Sequence, residues 1–171
     1  MSAVANPTLA LRPMLPAEVP LLIEIFRASI TELTGDDYTE AQQDAWVASA
    51  DDAAAFAKRL AGGLTLIATL EGSPIGFTSL AGADKLDLLY VHPAAVGQGA
   101  GAMLTDALEK LAAARGAAKL TVDASDTARD FFANRGYVAQ QRNSVTLNGE
   151  WLANTTMQKT LAQKGAGNGQ A

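Results

Sequence analysis

The sequence contains no cysteine and a single histidine, His92. The absence of cysteine excludes disulfides, thiolate metal sites and a cysteine nucleophile. One histidine cannot build a zinc centre that needs several histidine ligands, and no metal site is expected. Excess positive charge is lacking as well, because the net charge is −5. This overall charge argues against nucleic acid as a partner.

Long apolar runs are also missing. No run reaches the ~18 residues of a membrane span, so we expect no membrane association. The N-terminus has no basic segment followed by an apolar one, which predicts no signal peptide and a cytoplasmic protein. What is present suits one globular domain: 171 residues, 49% of them hydrophobic and 18% charged. We expect a flexible segment at 1–7, a single domain over 8–161 and a disordered, glycine-rich tail at 162–171.

Hydrophobic periodicity predicts the element order β-α-α-α-β-β-β-α-β-α-β-β. Thr39 and Gln42 fit a capping box at the start of a helix that carries Trp46, and Asp51 is predicted to begin the next helix. Two pairs of β-rich runs, joined by EGSP and by NG, predict hairpins. This order predicts a mixed α/β domain with a mostly antiparallel sheet.

Three glycines lie between a strand-like and a helix-like run, in the segment VHPAAVGQGAGAML. Small residues let backbone N–H groups point outward together, and a helix that begins there adds unpaired amides and a favourable dipole. Such a loop suits a pyrophosphate, although it can also simply join a strand to a helix. A dinucleotide fold is one candidate, since Gly97, Gly99 and Ala102 match G-x-G-x-x-A and Asp123 follows at a suitable distance. Against it, HPAAV separates the strand from the first glycine, and too few strands follow.

Acyl-coenzyme A is the other candidate ligand, and two motifs favour it. The segment LLYVHPAAVGQGAGAMLTDALEKLAAARG resembles the central motif of the GNAT N-acetyltransferase superfamily, a strand ending in V-x-P, then [RQ]-x-x-G-x-[GA] and a helix. The segment SDTARDFFANRGYV resembles the next family motif, N-x-x-A-x-x-x-Y-x-x-x-G-[FY]. Val96 replaces the usual Arg or Gln, Ser125 the usual Asn and Phe132 the usual Tyr.

The resemblance covers residues 8–161 and implies an α/β (α+β) GNAT fold, whose splayed fourth and fifth strands bind acyl-CoA. It implies an enzyme, a monomer or homodimer, that transfers acetyl from acetyl-CoA to an amine of a small molecule or peptide. Attack would be direct, within a ternary complex, and a backbone amide of the fourth strand would meet the oxyanion. The residues that the resemblance assigns to the cofactor are Leu89, Tyr90, Val91, Val96, Gly97, Gln98, Gly99, Ala100, Gly101, Ala102, Ser125, Ala128, Phe131 and Phe132.

A carboxylate near the fourth strand often accepts the amine proton in this family, and Asp87 is the candidate catalytic residue here. Strand alternation predicts that Asp87 shares a face with Lys85 and Leu89, opposite Leu86 and Tyr90. Burial among leucines would make the Asp87 carboxylate a stronger base. The alternative is an aspartate at the wet margin of the sheet.

The acceptor is predicted to contact Tyr38 and Trp46, in the helical insert that covers this site in the family, or these rings form core. Asn143 and Asn154 occupy late strands, where Asn is disfavoured, so each either bonds the acceptor or ends a strand. Phe132 cannot give the departing thiolate the proton that the usual Tyr gives. The alternative function is therefore a module that binds acyl-CoA, or a partner protein, without turnover.

Overall fold

A computed structural model of the chain describes residues 8–162. The predicted flexible segment at 1–7 and all but the first residue of the predicted tail lie outside the described residues. The strands are β1 (Leu9–Pro13), β2 (Leu64–Leu70), β3 (Ser73–Ala81), β4 (Lys85–Val91), β5 (Lys119–Ser125), β6 (Val138–Leu147) and β7 (Glu150–Thr160). The helices are α1 (Val19–Leu33), α2 (Glu40–Val47), α3 (Ala53–Ala61), α4 (Ala100–Ala114) and α5 (Arg129–Asn134).

The strands form one sheet in the order β1-β2-β3-β4-β5-β7-β6. Every neighbouring pair is antiparallel except β4 and β5, which run parallel. The predicted element order and mixed, mostly antiparallel fold are therefore confirmed. The same topology excludes the doubly wound parallel sheet that the dinucleotide alternative requires.

Two helix starts follow from short side chains that accept backbone hydrogen bonds. Thr39 Oγ1 accepts from the Gln42 amide over 3.1 Å while Gln42 Oε1 accepts from the Thr39 amide over 2.8 Å, so the predicted capping box is present. The cap of α3 is Asp52 rather than Asp51, one residue later than predicted. Asp51 instead accepts a hydrogen bond from Arg27 of α1 over 2.9 Å.

Strand β4 contains a β-bulge, an extra residue with no partner opposite, at Asp87. In the register with β3, Leu80 pairs with Leu86, and the adjacent Ser79 pairs with Leu88. Asp87 is left between these two pairs. A bulge of this kind breaks the alternation of side chains along a strand.

The bulge overturns the predicted facing of the β4 side chains. Leu86 packs with Leu89 against the core under α4, whereas Leu88 and Tyr90 pack against the core under α1. The prediction that Asp87 and Tyr90 lie on opposite faces is wrong, because Asp87 binds Arg59 of α3 and Tyr90 packs against Phe26 of α1, and both helices cover the same face.

The parallel strands β4 and β5 separate soon after they meet. They form only two residue pairs, Lys85 with Thr121 and Leu86 with Val122. Beyond these pairs, residues 87–91 of β4 have no strand partner on this side within residues 8–162, and residues 123–125 of β5 pair with β7 alone. The separation opens a cleft through the middle of the sheet.

The helices cover both faces of the sheet and fix the walls of this cleft. Helices α1 and α3 bury Phe26 and Phe56 against Phe77 on one face. Helices α4 and α5 bury Leu108 and Phe132 on the other face. In the part of the chain that the structure describes, no helix is both long and apolar enough to cross a membrane.

Candidate functional site

Two adjoining cavities occupy the cleft between β4 and β5. The larger cavity holds about 260 Å³ and is lined by residues of α1, α2, α3, β4, β5 and the β6–β7 hairpin. The smaller cavity holds about 140 Å³ and reaches toward α5. The residues that line both cavities are Trp46, Asp87, Tyr90, Asp123 and Ser125. A molecule in one cavity can therefore meet a molecule in the other at these side chains.

Asp87 lies at this junction and is paired with a cation that sequence reasoning missed. Arg59 of α3 donates from Nε to Oδ2 of Asp87 over 2.7 Å, and from Nη2 to Oδ1 over 3.0 Å. The hydrogen bond with Asp87 raises the pKa of the Arg59 guanidinium, although burial acts the other way. The Asp87 side chain is only 17% exposed. Asp87 is thus neither an isolated carboxylate among leucines nor a solvated one at the sheet margin, and its role as a base stays a prediction.

A second ion pair faces the first across the junction. Lys85 Nζ donates to Oδ2 of Asp123 over 3.0 Å, and Thr156 Oγ1 donates to Oδ1 over 2.7 Å. Burial acts to raise the pKa of Asp123, but the hydrogen bonds from Thr156 and Lys85 outweigh it and hold the pKa below its usual value. Behind them, Asn143 donates to Thr156 Oγ1 over 2.8 Å and to Asn154 Oδ1 over 2.9 Å. The Asp123 carboxylate is therefore ionised and fixed in place.

Aromatic rings also line the larger cavity. The Trp46 ring meets Tyr38 and Tyr90 edge-on, with centroids 5.3 and 6.4 Å apart. The Tyr38 hydroxyl donates to the Ala153 carbonyl over 2.6 Å and accepts from the Asp126 amide over 2.9 Å, which ties the helical insert to the late strands. Burial raises the pKa of Tyr90 to about 12, so its hydroxyl keeps its proton at neutral pH.

The glycine loop lies at the far end of β4 and leads into α4. Gly99 is the N-cap of α4, and both Gly97 and Gly99 have φ of 88°, in the left-handed region that favours glycine. No side chain caps this end, and the first intrahelical bond joins the Met103 amide to the Gly99 carbonyl over 3.0 Å. Among residues 8–162, the amides of residues 100–102 have no acceptor. This helix end therefore presents free donors to an anion.

The second family motif forms a turn and a short helix rather than the predicted helix over 125–136. Ser125 Oγ accepts from the Ala128 amide over 3.1 Å, and α5 begins only at Arg129. The turn keeps Ser125 and Ala128 beside the smaller cavity.

Phe132 and Phe131 connect this motif to the core and to the glycine loop. Phe132 is 2% exposed, lines the smaller cavity and meets the rings of Phe131 and Tyr137 edge-on at 5.1 Å each. The Phe131 ring lies 3.6 Å from the point that a Cβ on Gly101 would occupy. Phe132 is therefore a core residue with one side toward the cleft.

The structure brings some of the predicted site residues together and leaves others apart. The predicted cofactor residues that line the smaller cavity are Leu89, Tyr90, Ser125, Ala128 and Phe132. The predicted cofactor residues outside both cavities are Val91, Phe131 and the loop residues 96–102. The predicted acceptor residues that line the larger cavity are Tyr38, Trp46 and Asn154, while Asn143 lies behind Asn154. The roles of all these residues stay predictions.

Among the charged residues that line the cavities, sequence reasoning gave no role toward an acceptor to Arg59, Lys85 and Asp123. Arg59 precedes Asp87 by 28 residues, and no local motif links them. The only available signal is that Arg59 sits on α3 beside the buried Leu60. Asp123 drew attention as a possible ribose ligand, a role that the fold does not support.

A mixed sheet that opens between two parallel strands, beside a helix that follows a glycine-rich loop, is the fold of acyl-CoA-dependent acyltransferases. The family model described as "Acetyltransferase (GNAT) domain" matches residues 34–161. The chain belongs to this GNAT acetyltransferase family, as the resemblance predicted.

Individual relatives agree with this assignment. The chain is 61% identical to a GCN5-related N-acetyltransferase structure from Rhodopseudomonas palustris that is also named "Aminotransferase, Class-II", with a TM-score of 0.88 over 94% of this chain and 99% of the other. It is 29% identical to the uncharacterized N-acetyltransferase YafP of Escherichia coli K12, over 83% of this chain and 89% of YafP. The PaiA N-acetyltransferase of Thermoplasma acidophilum, solved with coenzyme A, shares the fold at 18% identity and a TM-score of 0.71, over 90% and 99% of the two chains.

Proposed function

We propose that this protein transfers an acetyl group from acetyl-CoA to the amine of a small acceptor. The observation that carries the proposal is the opening between β4 and β5, which joins a free helix N-terminus at one end to a charged cavity at the other. Membership of the GNAT acetyltransferase family supports the reaction class. The coenzyme A complex of the PaiA protein supports coenzyme A as the carrier of the acetyl group.

The proposed cofactor path follows β4 from the glycine loop to the cavities. The pyrophosphate binds the free amides at the start of α4, where the helix dipole also favours an anion. The His92 amide donates to the Ile75 carbonyl of β3 over 2.7 Å. Because bonding alternates along an antiparallel ladder, the backbone groups of Val91 and Leu89 point away from β3 and into the cleft. These groups suit the amides of the pantetheine arm and the oxyanion of the attacked acetyl group.

The amine enters from the larger cavity and attacks the acetyl carbonyl at the junction with the smaller one. Direct attack in a ternary complex is the proposed route, and the absence of cysteine, the usual thiol carrier of an acetyl group, supports it. Asp87 lines both cavities and is the proposed acceptor of the amine proton.

Tyr90 is the proposed proton donor to the departing thiolate. Phe132 has no hydroxyl, whereas Tyr90 lines both cavities and carries one. Its pKa of about 12 keeps the proton available at neutral pH. A coenzyme A thiolate is also a tolerable leaving group at this pH, so the donor adds to the rate without being indispensable.

Calorimetry and a thiol-release assay test this proposal together. We expect acetyl-CoA to bind far more tightly than NAD, and at least one amine in a broad panel to release thiol from acetyl-CoA. Tighter binding of NAD would overturn the cofactor assignment. Micromolar binding of acetyl-CoA with no turnover of any amine would favour the alternative, a sensor or interaction module, which the apolar Phe132 motivates.

A further inference from the structure

The Arg59 guanidinium in the larger cavity uses only one of its two hydrogen-bonding edges. Its Nε and Nη2 atoms hold Asp87 at 2.7 and 3.0 Å. Nη1 and the second N–H of Nη2 have no acceptor among residues 8–162. The Nη1/Nη2 edge can bind a second carboxylate through two parallel hydrogen bonds, as the Nε/Nη2 edge binds Asp87. The side chain is 45% exposed and lines the cavity, so this edge is accessible.

The carboxylates of the same cavity are already occupied. Both oxygens of Asp87 accept from Arg59, while Asp123 accepts from Thr156 and from Lys85. Lys85 uses one of its three N–H groups in this way and has no other acceptor within residues 8–162. The cavity thus has N–H donors to spare, and every carboxylate oxygen in it already has a partner.

The charged residues that line the larger cavity balance one another, since two are cations and two are anions: Arg59, Lys85, Asp87 and Asp123. A simple ammonium ion would have to compete with Arg59 or Lys85 for a carboxylate. A molecule that brings its own carboxylate instead meets the unused donors. At about 260 Å³ the cavity lies below the roughly 300–1,000 Å³ usual for ligand pockets, which favours a small acceptor.

Resting on the acetyl transfer described above, we propose that the acceptor is an amino acid whose carboxylate binds the free edge of Arg59. The amine next to this carboxylate then lies beside Asp87, because Arg59 holds both groups at once. A lysine side chain in a folded protein has no carboxylate beside its amine, and the terminal carboxylate of a peptide lies far from its terminal amine. The proposal therefore selects free amino acids among the acceptors that the fold allows.

The test compares each proteinogenic L-amino acid with its carboxamide, in the wild type and in Arg59→Lys, by thiol release from acetyl-CoA. Lysine keeps a cation beside Asp87 but has no second edge for a carboxylate. We expect kcat/KM for the preferred amino acid to fall roughly ten- to a hundredfold in Arg59→Lys, as for lost hydrogen bonds to a charged group. Any effect of the altered Asp87 pairing applies to the amino acid and its carboxamide alike, so kcat/KM for the carboxamide should fall less than that for the amino acid. Because the carboxamide also changes the basicity of the amine, the decisive quantity is the change in the acid-to-amide ratio between the two proteins.

The matched control is Arg27→Lys. Arg27 is also 45% exposed and paired with an aspartate, Asp51, but it lines neither cavity. We expect Arg27→Lys to leave the acid-to-amide ratio of the wild type unchanged. The same ratio in Arg59→Lys and the wild type would overturn the proposal.

Calorimetry with wild-type protein separates this inference from the transfer reaction. We expect the N-acetyl derivative of the preferred amino acid to bind more tightly than its N-acetyl carboxamide. If the thiol-release assay identifies no substrate, the same comparison is made for the N-acetyl derivative of every amino acid in the panel. Turnover of amines with equal binding of the two derivatives would overturn the carboxylate site and leave the transferase. Selective binding of the carboxylate without turnover of any amine would overturn the transfer and leave the carboxylate site. The wild-type measurement stands even if Arg59→Lys does not fold.

Discussion

Replacing Gly99 with alanine tests whether the glycine loop is a ligand site or only a connector. Gly99 has φ of 88°, and a Cβ added there would approach no closer than 3.9 Å to Leu9, outside its chain neighbours. The cost of Gly99→Ala therefore comes from backbone strain rather than from crowding. Left-handed backbone costs an L-residue about 1–2 kcal/mol, so the free energy of unfolding should fall by this amount.

Gly116 provides a control at the opposite end of the same helix. Its φ is 94°, and a Cβ there would meet nothing within 4 Å. Gly116→Ala should therefore lower the free energy of unfolding by the same amount as Gly99→Ala. The two variants differ only in whether the strained residue lies beside the free amides of residues 100–102 or away from them.

The affinity for coenzyme A should separate the two variants. The same strain favours relaxation of residue 99 out of its left-handed conformation, after which the amides at the start of α4 no longer converge on an anion. Each lost hydrogen bond to a phosphate weakens binding by about 1.5–3 kcal/mol, roughly ten- to a hundredfold. We expect this loss in Gly99→Ala and less than a twofold change in Gly116→Ala.

Urea unfolding measures the stability of each variant, and calorimetry with coenzyme A is done at a temperature where both are folded. Equal coenzyme A affinity in Gly99→Ala and Gly116→Ala would refute the reasoning. The loop would then only join β4 to α4.

Three further substitutions address the cleft. Asp87→Asn should lower kcat by roughly two to four powers of ten, leave coenzyme A binding unchanged and abolish the rising limb of the pH–rate profile; full activity across pH would place the base elsewhere. Tyr90→Phe should lower the single-turnover rate constant of thiol release by at least about tenfold, with unchanged coenzyme A affinity, since only the hydroxyl is removed. An unchanged rate constant would assign the proton to water. Phe132→Ala should lower the free energy of unfolding by about 3–5 kcal/mol in urea, because the ring is 2% exposed; a loss below about 1 kcal/mol would contradict its place in the core.

Features that depend on a few neighbouring residues could be predicted from the sequence. The pair Asn148 and Gly149 turns the last hairpin with φ of 46° and 85°, as an NG dipeptide between two β-rich runs indicates. Thr39 and Gln42 form their capping box because both partners lie within one helical turn. Gly97 and Gly99 sit where the backbone is left-handed, which only glycine adopts without strain. Element order and the glycine loop follow from such local signals.

The arrangement of charge in the cleft was decided by tertiary structure alone. The bulge at Asp87 arises from the register between β4 and β3, and this one-residue shift reversed the facing predicted by alternation. Arg59 meets Asp87 across 28 residues of sequence, and Lys85 meets Asp123 across 38. Each pair forms only because helix α3 packs against α1 and β2, from where Arg59 reaches β4, and because β4 and β5 start side by side before they separate. Periodicity reports which residues share a face of one element, but the partner that a charge finds depends on how separate elements pack together.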